Sequence, residues 1–122
     1  MKPQDSLYRI LWKESTEKGA RYVLSLDAQH FIYQAHFPGQ PITPGVCMVQ
    51  MGLEVLSDFL QRELQLNKVN NVKFLSVLSP EETTEVVYEI TKLSPEAEGL
   101  SKAQLAVYHQ DTVYAKISLT VQ

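Results

Sequence analysis

The sequence predicts an α+β fold in which a curled antiparallel β-sheet of about six strands wraps around one long central α-helix. Three observations carry this. From Val46 to Leu64, apolar side chains recur at helical spacing and on almost every side. Six other segments are strand-like, and those after the helix are joined by short turns, which favour antiparallel neighbours. No repeat, linker or low-complexity tract divides the 122 residues, so 1–122 reads as one domain with one core.

Leu7 to Trp12 is rich in strand formers and runs into the polar stretch Glu14 to Gly19. Ala20 to Leu26 places Tyr22, Leu24 and Leu26 on one face and Arg21, Val23 and Ser25 on the other, and Gly19 between the two segments suggests a hairpin. Asp27 to Thr43 holds aromatic residues without a sustained period and is broken by Pro38, Gly39 and Pro41. It is expected to be an ordered loop, a common place for function. Thr43 reads as a helix N-cap, with Pro44 at the first helical position, where its missing N–H costs nothing. Val46, Val49, Leu53, Leu56, Leu60 and Leu64 then form an apolar stripe, which Cys47, Met48, Met51, Val55 and Phe59 extend around the helix. A helix apolar on most sides is expected to be buried on most sides, so the sheet must curl. Val69–Leu78, Glu85–Leu93, Ser101–His109 and Thr112–Val121 are the later strands, separated by turn residues at Ser79–Glu82, Ser94–Gly99 and Gln110–Asp111.

Composition bounds the function without naming it. Eleven basic against fourteen acidic residues give a net charge of −3, which argues against nucleic acid as the main partner. The one cysteine, Cys47, makes no internal disulfide and supplies no metal-ligand spacing. The first residues lack the apolar run of a signal peptide, and no stretch approaches the roughly 20 apolar residues of a membrane span; a cytoplasmic protein is expected.

The most unusual passage is His36-Phe37-Pro38-Gly39-Gln40-Pro41-Ile42-Thr43-Pro44-Gly45-Val46. Three prolines and two glycines within residues 38–45 make a stiff path that brings His36 close to a helix N-terminus. The amides of Gly45 and Val46 have no intrahelical acceptor and lie at the positive end of the helix dipole. Such amides can polarise a thioester or amide carbonyl, and glycine at 45 lets a substrate approach the backbone. The pattern suggests a carbonyl-binding site with a titratable base beside it.

This passage, extended through Cys47-Met48-Val49-Gln50-Met51, resembles the H-F-P-G-x-P-x-x-P-G signature of the β-hydroxyacyl-acyl carrier protein dehydratases, and Val72-Lys73-Phe74 through Leu78-Ser79-Pro80 resembles the strand and turn after the helix in that family. The resemblance covers the chain from about Ala20 onward. It implies a hotdog fold, a dimer with active sites at the subunit interface, and a substrate carried as a thioester on acyl carrier protein or coenzyme A in fatty acid or polyketide-type metabolism. His36 would match the base that removes the C2 proton of a 3-hydroxyacyl thioester, and Gly45 the amide that binds the carbonyl. Phe37, Pro38, Gly39 and Val46 would line the substrate. No metal or redox cofactor is implied, because proton removal needs only a base and a polarised carbonyl.

The family carries an acid fourteen positions after the histidine, on the other subunit, where this chain has Gln50. An amide can hold a leaving hydroxyl but cannot protonate it. Glu54 follows one turn later on the same face, displaced by about 5.4 Å along the axis, as if the usual Glu and Gln had exchanged places. Three expectations follow: a working dehydratase drawing its acid from Glu54 or water; one half of a heterodimer whose partner supplies the carboxylate; or a hotdog protein that hydrolyses or binds acyl thioesters.

Simpler roles suit most other residues. Cys47 reads as a buried apolar residue, His30 and His109 as structural, and Met48 and Met51 as core. Phe31, Tyr33 and Phe37 pack the loop onto the core. Ser57, Asp58 and Gln61 read as the solvent face of the helix, whereas apolar neighbours surround Gln50 and set it apart. Arg62, Lys68 and Lys73 read as a solvated face, with an acidic carrier or phosphopantetheine phosphate as the alternative.

Overall fold

A computed structural model describes residues 6–35 and 39–122. Eight elements matter here: strands β1 (Tyr8–Ser15) and β2 (Ala20–Leu26), helices α1 (Phe31–Ala35) and α2 (Gly45–Leu60), and strands β3 (Leu66–Phe74), β4 (Glu85–Pro95), β5 (Ser101–His109) and β6 (Thr112–Val121). The six strands form one curled antiparallel sheet in the order β1-β2-β4-β5-β6-β3. Register shifts interrupt the pairing at Ile10/Trp12, Ile90/Lys92 and Val107/Tyr108. Irregularities of this kind increase local twist and help a sheet to curl.

Alternation places Tyr22, Leu24, Val86, Tyr88, Ile90, Leu105, Val107, Ile117 and Leu119 in one buried cluster with Met48, Met51, Val55 and Leu56 of α2. Fully burying a side chain of this size stabilises by about 1.5–3 kcal/mol, so the helix–sheet contact carries the fold. At its centre the buried Tyr88 Oη donates to the Met48 carbonyl at 2.8 Å, satisfying the hydroxyl and fixing the sheet against the helix. No helix among the described residues is long and apolar enough to cross a membrane.

Several boundaries differ from expectation. The 27–43 segment contains the short helix α1, held by Tyr33, whose hydroxyl lies 2.9 Å from Thr43 Oγ1. Thr43 is therefore engaged elsewhere and does not cap α2: the N-cap is Pro44, with no side-chain cap, and Met48 N donates to Pro44 O at 3.1 Å. The helix stops at Leu60, four residues short of Leu64, because Gln61 turns left-handed at φ 54°. Strand β3 ends at Phe74 instead of continuing to Leu78. Beyond it the chain leaves the sheet, and Leu78 O accepts from Thr43 N at 2.8 Å beside the start of α2. The helix is also not buried all round: Val46 is 78% exposed, and only one face is closed by the sheet.

Candidate active site

His36, Phe37 and Pro38 lie outside the described residues. Gly39, just after them, is exposed with φ +90°, a left-handed conformation that favours glycine. Downstream, the Tyr33–Thr43 contact and the Thr43–Leu78 bond tie the chain on both sides just before Gly45. Helix α2 thus starts from a fixed point, with the amides of Gly45 and Val46 at its positive end.

Glycine at 45 answers a close approach from within the protein. A Cβ there would sit 2.6 Å from Cζ of Phe74, an exposed residue. The tip of its ring therefore stands over the first turn of α2, where a carbonyl bound to the Gly45 amide would also have to fit. Phe74 appeared in the sequence as part of a strand motif, and nothing in its spacing pointed to this contact.

The residue at the acid position, Gln50, is exposed in the chain; the apolar neighbours in sequence do not enclose it. Its Nε2 donates to Glu54 Oε2 at 2.9 Å, the i to i+4 reach of one helical turn. Glu54 Oε1 accepts a second bond, from Tyr8 Oη at 2.6 Å. Burial first, and the Glu54 hydrogen bond second, push the Tyr8 phenol well above its ordinary pKa, so Tyr8 stays protonated and remains a donor. Tyr8, Ile10, Gln50, Leu53, Glu54 and Ser57 line a groove of about 770 Å³ between β1 and the outward face of α2.

One turn further on, Asp58 is not merely a solvent-facing residue. Tyr22 Oη donates to Asp58 Oδ2 at 2.6 Å and Lys13 Nζ approaches the same oxygen at 2.7 Å. The Lys13 bond, then the Tyr22 bond, hold the Asp58 carboxyl below its ordinary value. Cys47 behaves as a structural residue, because burial pushes its thiol up, away from the thiolate a nucleophile needs. His30 is buried, with Nδ1 accepting from Ile32 N at 3.1 Å and its ring stacked on Phe31 at 4.6 Å, in keeping with a structural role.

Helix α2 thus carries an N-terminus with free amides and, nine residues or about 13 Å further along its axis, a pinned carboxylate. Tyr8 was not anticipated as part of the site. A tyrosine at the start of an edge strand carries no local signal of its partner 46 residues away.

Comparison with known proteins places the chain in a family. A family model described as ApeI dehydratase matches residues 12–115. The 3-hydroxyacyl-[acyl-carrier-protein] dehydratase FabZ of Clostridium acetobutylicum is 30% identical over 117 residues, spanning 88% of this chain and 82% of that protein. FabZ of Latilactobacillus sakei is 31% identical over 98 residues, spanning 75% and 69%. Among solved structures, a chain of the dehydratase heterocomplex ApeI:P from Xenorhabdus doucetiae matches with a TM-score of 0.72 at 20% identity, over 93% of this chain and 96% of that one. A thioesterase from Pseudomonas aeruginosa matches with a TM-score of 0.66 at 11% identity, over 93% and 78%. These structural likenesses show the hotdog fold, shared by dehydratases and thioesterases alike. The match along residues 12–115 goes further: the chain belongs to the ApeI-like dehydratase family, with FabZ dehydratases among its relatives.

Proposed function

We propose that the chain catalyses reversible elimination of water from a 3-hydroxyacyl thioester, carried on acyl carrier protein or coenzyme A, with Glu54 supplying the acid that Gln50 cannot. The observation that carries this reading is the Glu54 carboxylate itself. It lies one turn from position 50, on the same face, in a groove, held by Tyr8 at 2.6 Å and Gln50 at 2.9 Å.

In this reading the Gly45 amide polarises the thioester carbonyl and His36 takes the C2 proton. Elimination starts with Glu54 protonated on Oε2 in place of the Gln50 bond: the C2–H electron pair becomes the C2=C3 double bond, the C3–O bond breaks, and the departing hydroxide takes that proton and leaves as water. His36 ends one proton richer and Glu54 one poorer, and exchange through water resets both. The site is shared across a homodimer, His36 and Gly45 coming from one subunit and Glu54 from the other, because nine residues of helix, about 13 Å along the axis, separate Gly45 from Glu54 within one chain. Phe37, Pro38, Gly39 and Val46 surround the acyl group. No step calls for a metal or redox group.

A second reading, in which this chain gives His36 to a homologue that bears the missing carboxylate, is favoured by one finding: the neighbour from Xenorhabdus doucetiae is described as a dehydratase heterocomplex.

The test is hydration of a short-chain 2-enoyl thioester, followed by loss of the enoyl absorbance. His36→Ala and Glu54→Gln are each expected to lose on the order of 10²–10⁴ in rate, the usual worth of an acid or base, while Gln50→Glu keeps or gains activity. Full activity in either of the first two variants overturns the assignment. Activity that appears only when a carboxylate-bearing homologue is added selects the second reading, and release of free thiol without hydration points to a thioesterase instead.

A further inference from the structure

Two tyrosines of the β1–β2 hairpin reach α2 and meet carboxylates one turn apart, but the two contacts differ. At Asp58, Tyr22 shares the carboxylate with Lys13, and the group is a complete ion-pair anchor. At Glu54 no cation takes part among the described residues, and the partners are two neutral donors on opposite oxygens, Tyr8 on Oε1 and Gln50 on Oε2. A terminal carboxylate torsion is soft, so a donor on each oxygen is what holds it. The two donors are not equivalent. Tyr8 is half-buried and comes from another element, whereas Gln50 is exposed on the helix and is the one a substrate hydroxyl can displace.

We infer that Tyr8 is a positioning residue that pins Glu54 through Oε1 and thereby presents Oε2, loosely held by Gln50, to the 3-hydroxyl of the substrate. This rests on the reading of Glu54 as the acid. In this role Tyr8 acts through Glu54, by fixing the torsion of the group that meets the substrate hydroxyl. Tyr22, with the same chemistry one turn away, serves only to anchor the hairpin.

Tyr8→Phe deletes one hydroxyl and keeps the ring, and Tyr22→Phe is its matched control. Thioester hydration, thermal melting and the ¹³C resonance of the Glu54 carboxyl are measured for wild type, both variants and Glu54→Gln. The expected result for Tyr8→Phe is a kcat lowered about tenfold, the size of one hydrogen bond to a charged group, with KM within about twofold of wild type and the Glu54 resonance displaced. Tyr22→Phe is expected to melt earlier with kcat and the Glu54 resonance unchanged. If Glu54→Gln loses activity but Tyr8→Phe keeps its kcat, the positioning role is overturned and the acid assignment stands. If Glu54→Gln is fully active, or wild type turns nothing over, the acid assignment falls and the role of Tyr8 with it. Equal losses in Tyr8→Phe and Tyr22→Phe that track melting reduce Tyr8 to an anchor and also overturn the inference.

Discussion

The inward face of α2 carries Met48, Met51, Val55 and Leu56, each 2% exposed or less, while the outward face carries the exposed Val46 and, along an open groove, Gln50, Leu53, Glu54 and Ser57. The inward side chains are held by packing against strands β2, β4, β5 and β6, and the outward ones by a few hydrogen bonds to each other and to the hairpin. One helix thus does two things: its inner surface secures the sheet, and its outer surface is free to carry chemistry at little cost in stability. Substitutions on the outward face can therefore be read as functional changes, and those on the inward face cannot.

This contrast can be broken most severely at Leu56. It is fully buried, and Leu56→Ala is expected to cost about 2–5 kcal/mol in chemical denaturation, since lost transfer energy and a residual cavity add together. A cost below about 1 kcal/mol would mean that the inward face is not the close-packed core described. Asp58, at the margin of the two faces, should have an intermediate effect. Asp58→Asn is expected to cost about 1 kcal/mol at neutral pH, because a partly exposed ion pair is lost while the amide oxygen still accepts from Tyr22. The carboxyl is held below its ordinary value, first by Lys13 and then by Tyr22. Its stabilisation is therefore present above the unfolded carboxylate value of 3.8 and is lost as pH falls through the lower folded value. Denaturation from about pH 5 down to about pH 2 should then destabilise the wild type more than Asp58→Asn, and parallel curves would show that the pair contributes nothing. The smallest effect is expected at Val46, which is 78% exposed: Val46→Ser should change stability by no more than about 0.5 kcal/mol. A larger loss that grows with protein concentration would sharpen the comparison differently, by showing that a second copy covers the outward face.

How far the sequence could be read varied from element to element. Strands β2, β5 and β6 begin and end where their alternation does, because turn residues bracket a two-residue period that each strand shows on its own. Helix α1 was not foreseen: five residues are too few to show a helical period, and its stability comes from Tyr33 reaching Thr43. The same contact removed Thr43 from its expected capping role. The end of α2 was misplaced because Gln61 takes a left-handed conformation without the glycine that usually signals it. At the site, Gln50 at the expected acid position and Glu54 one turn later stood out only through the resemblance to the dehydratase signature. That Gln50 is exposed, and that Glu54 is pinned by Tyr8, was not legible in the residues.

Local pattern therefore settled that there is one long helix, which segments are strands, and where a Pro/Gly-rich passage meets a helix N-terminus; that this helix has an open outward face it did not settle. These features depend on neighbours within a few residues along the chain, and periodicity records them directly. Tyr8 on Glu54, Tyr22 on Asp58 and Phe74 over Gly45 join residues 46, 36 and 29 positions apart. Such meetings depend on the curl of the whole sheet and on the angle at which α2 lies against it. No single segment encodes either, so the acid candidate was visible in the sequence while the hydroxyl that holds it emerged only from the folded chain.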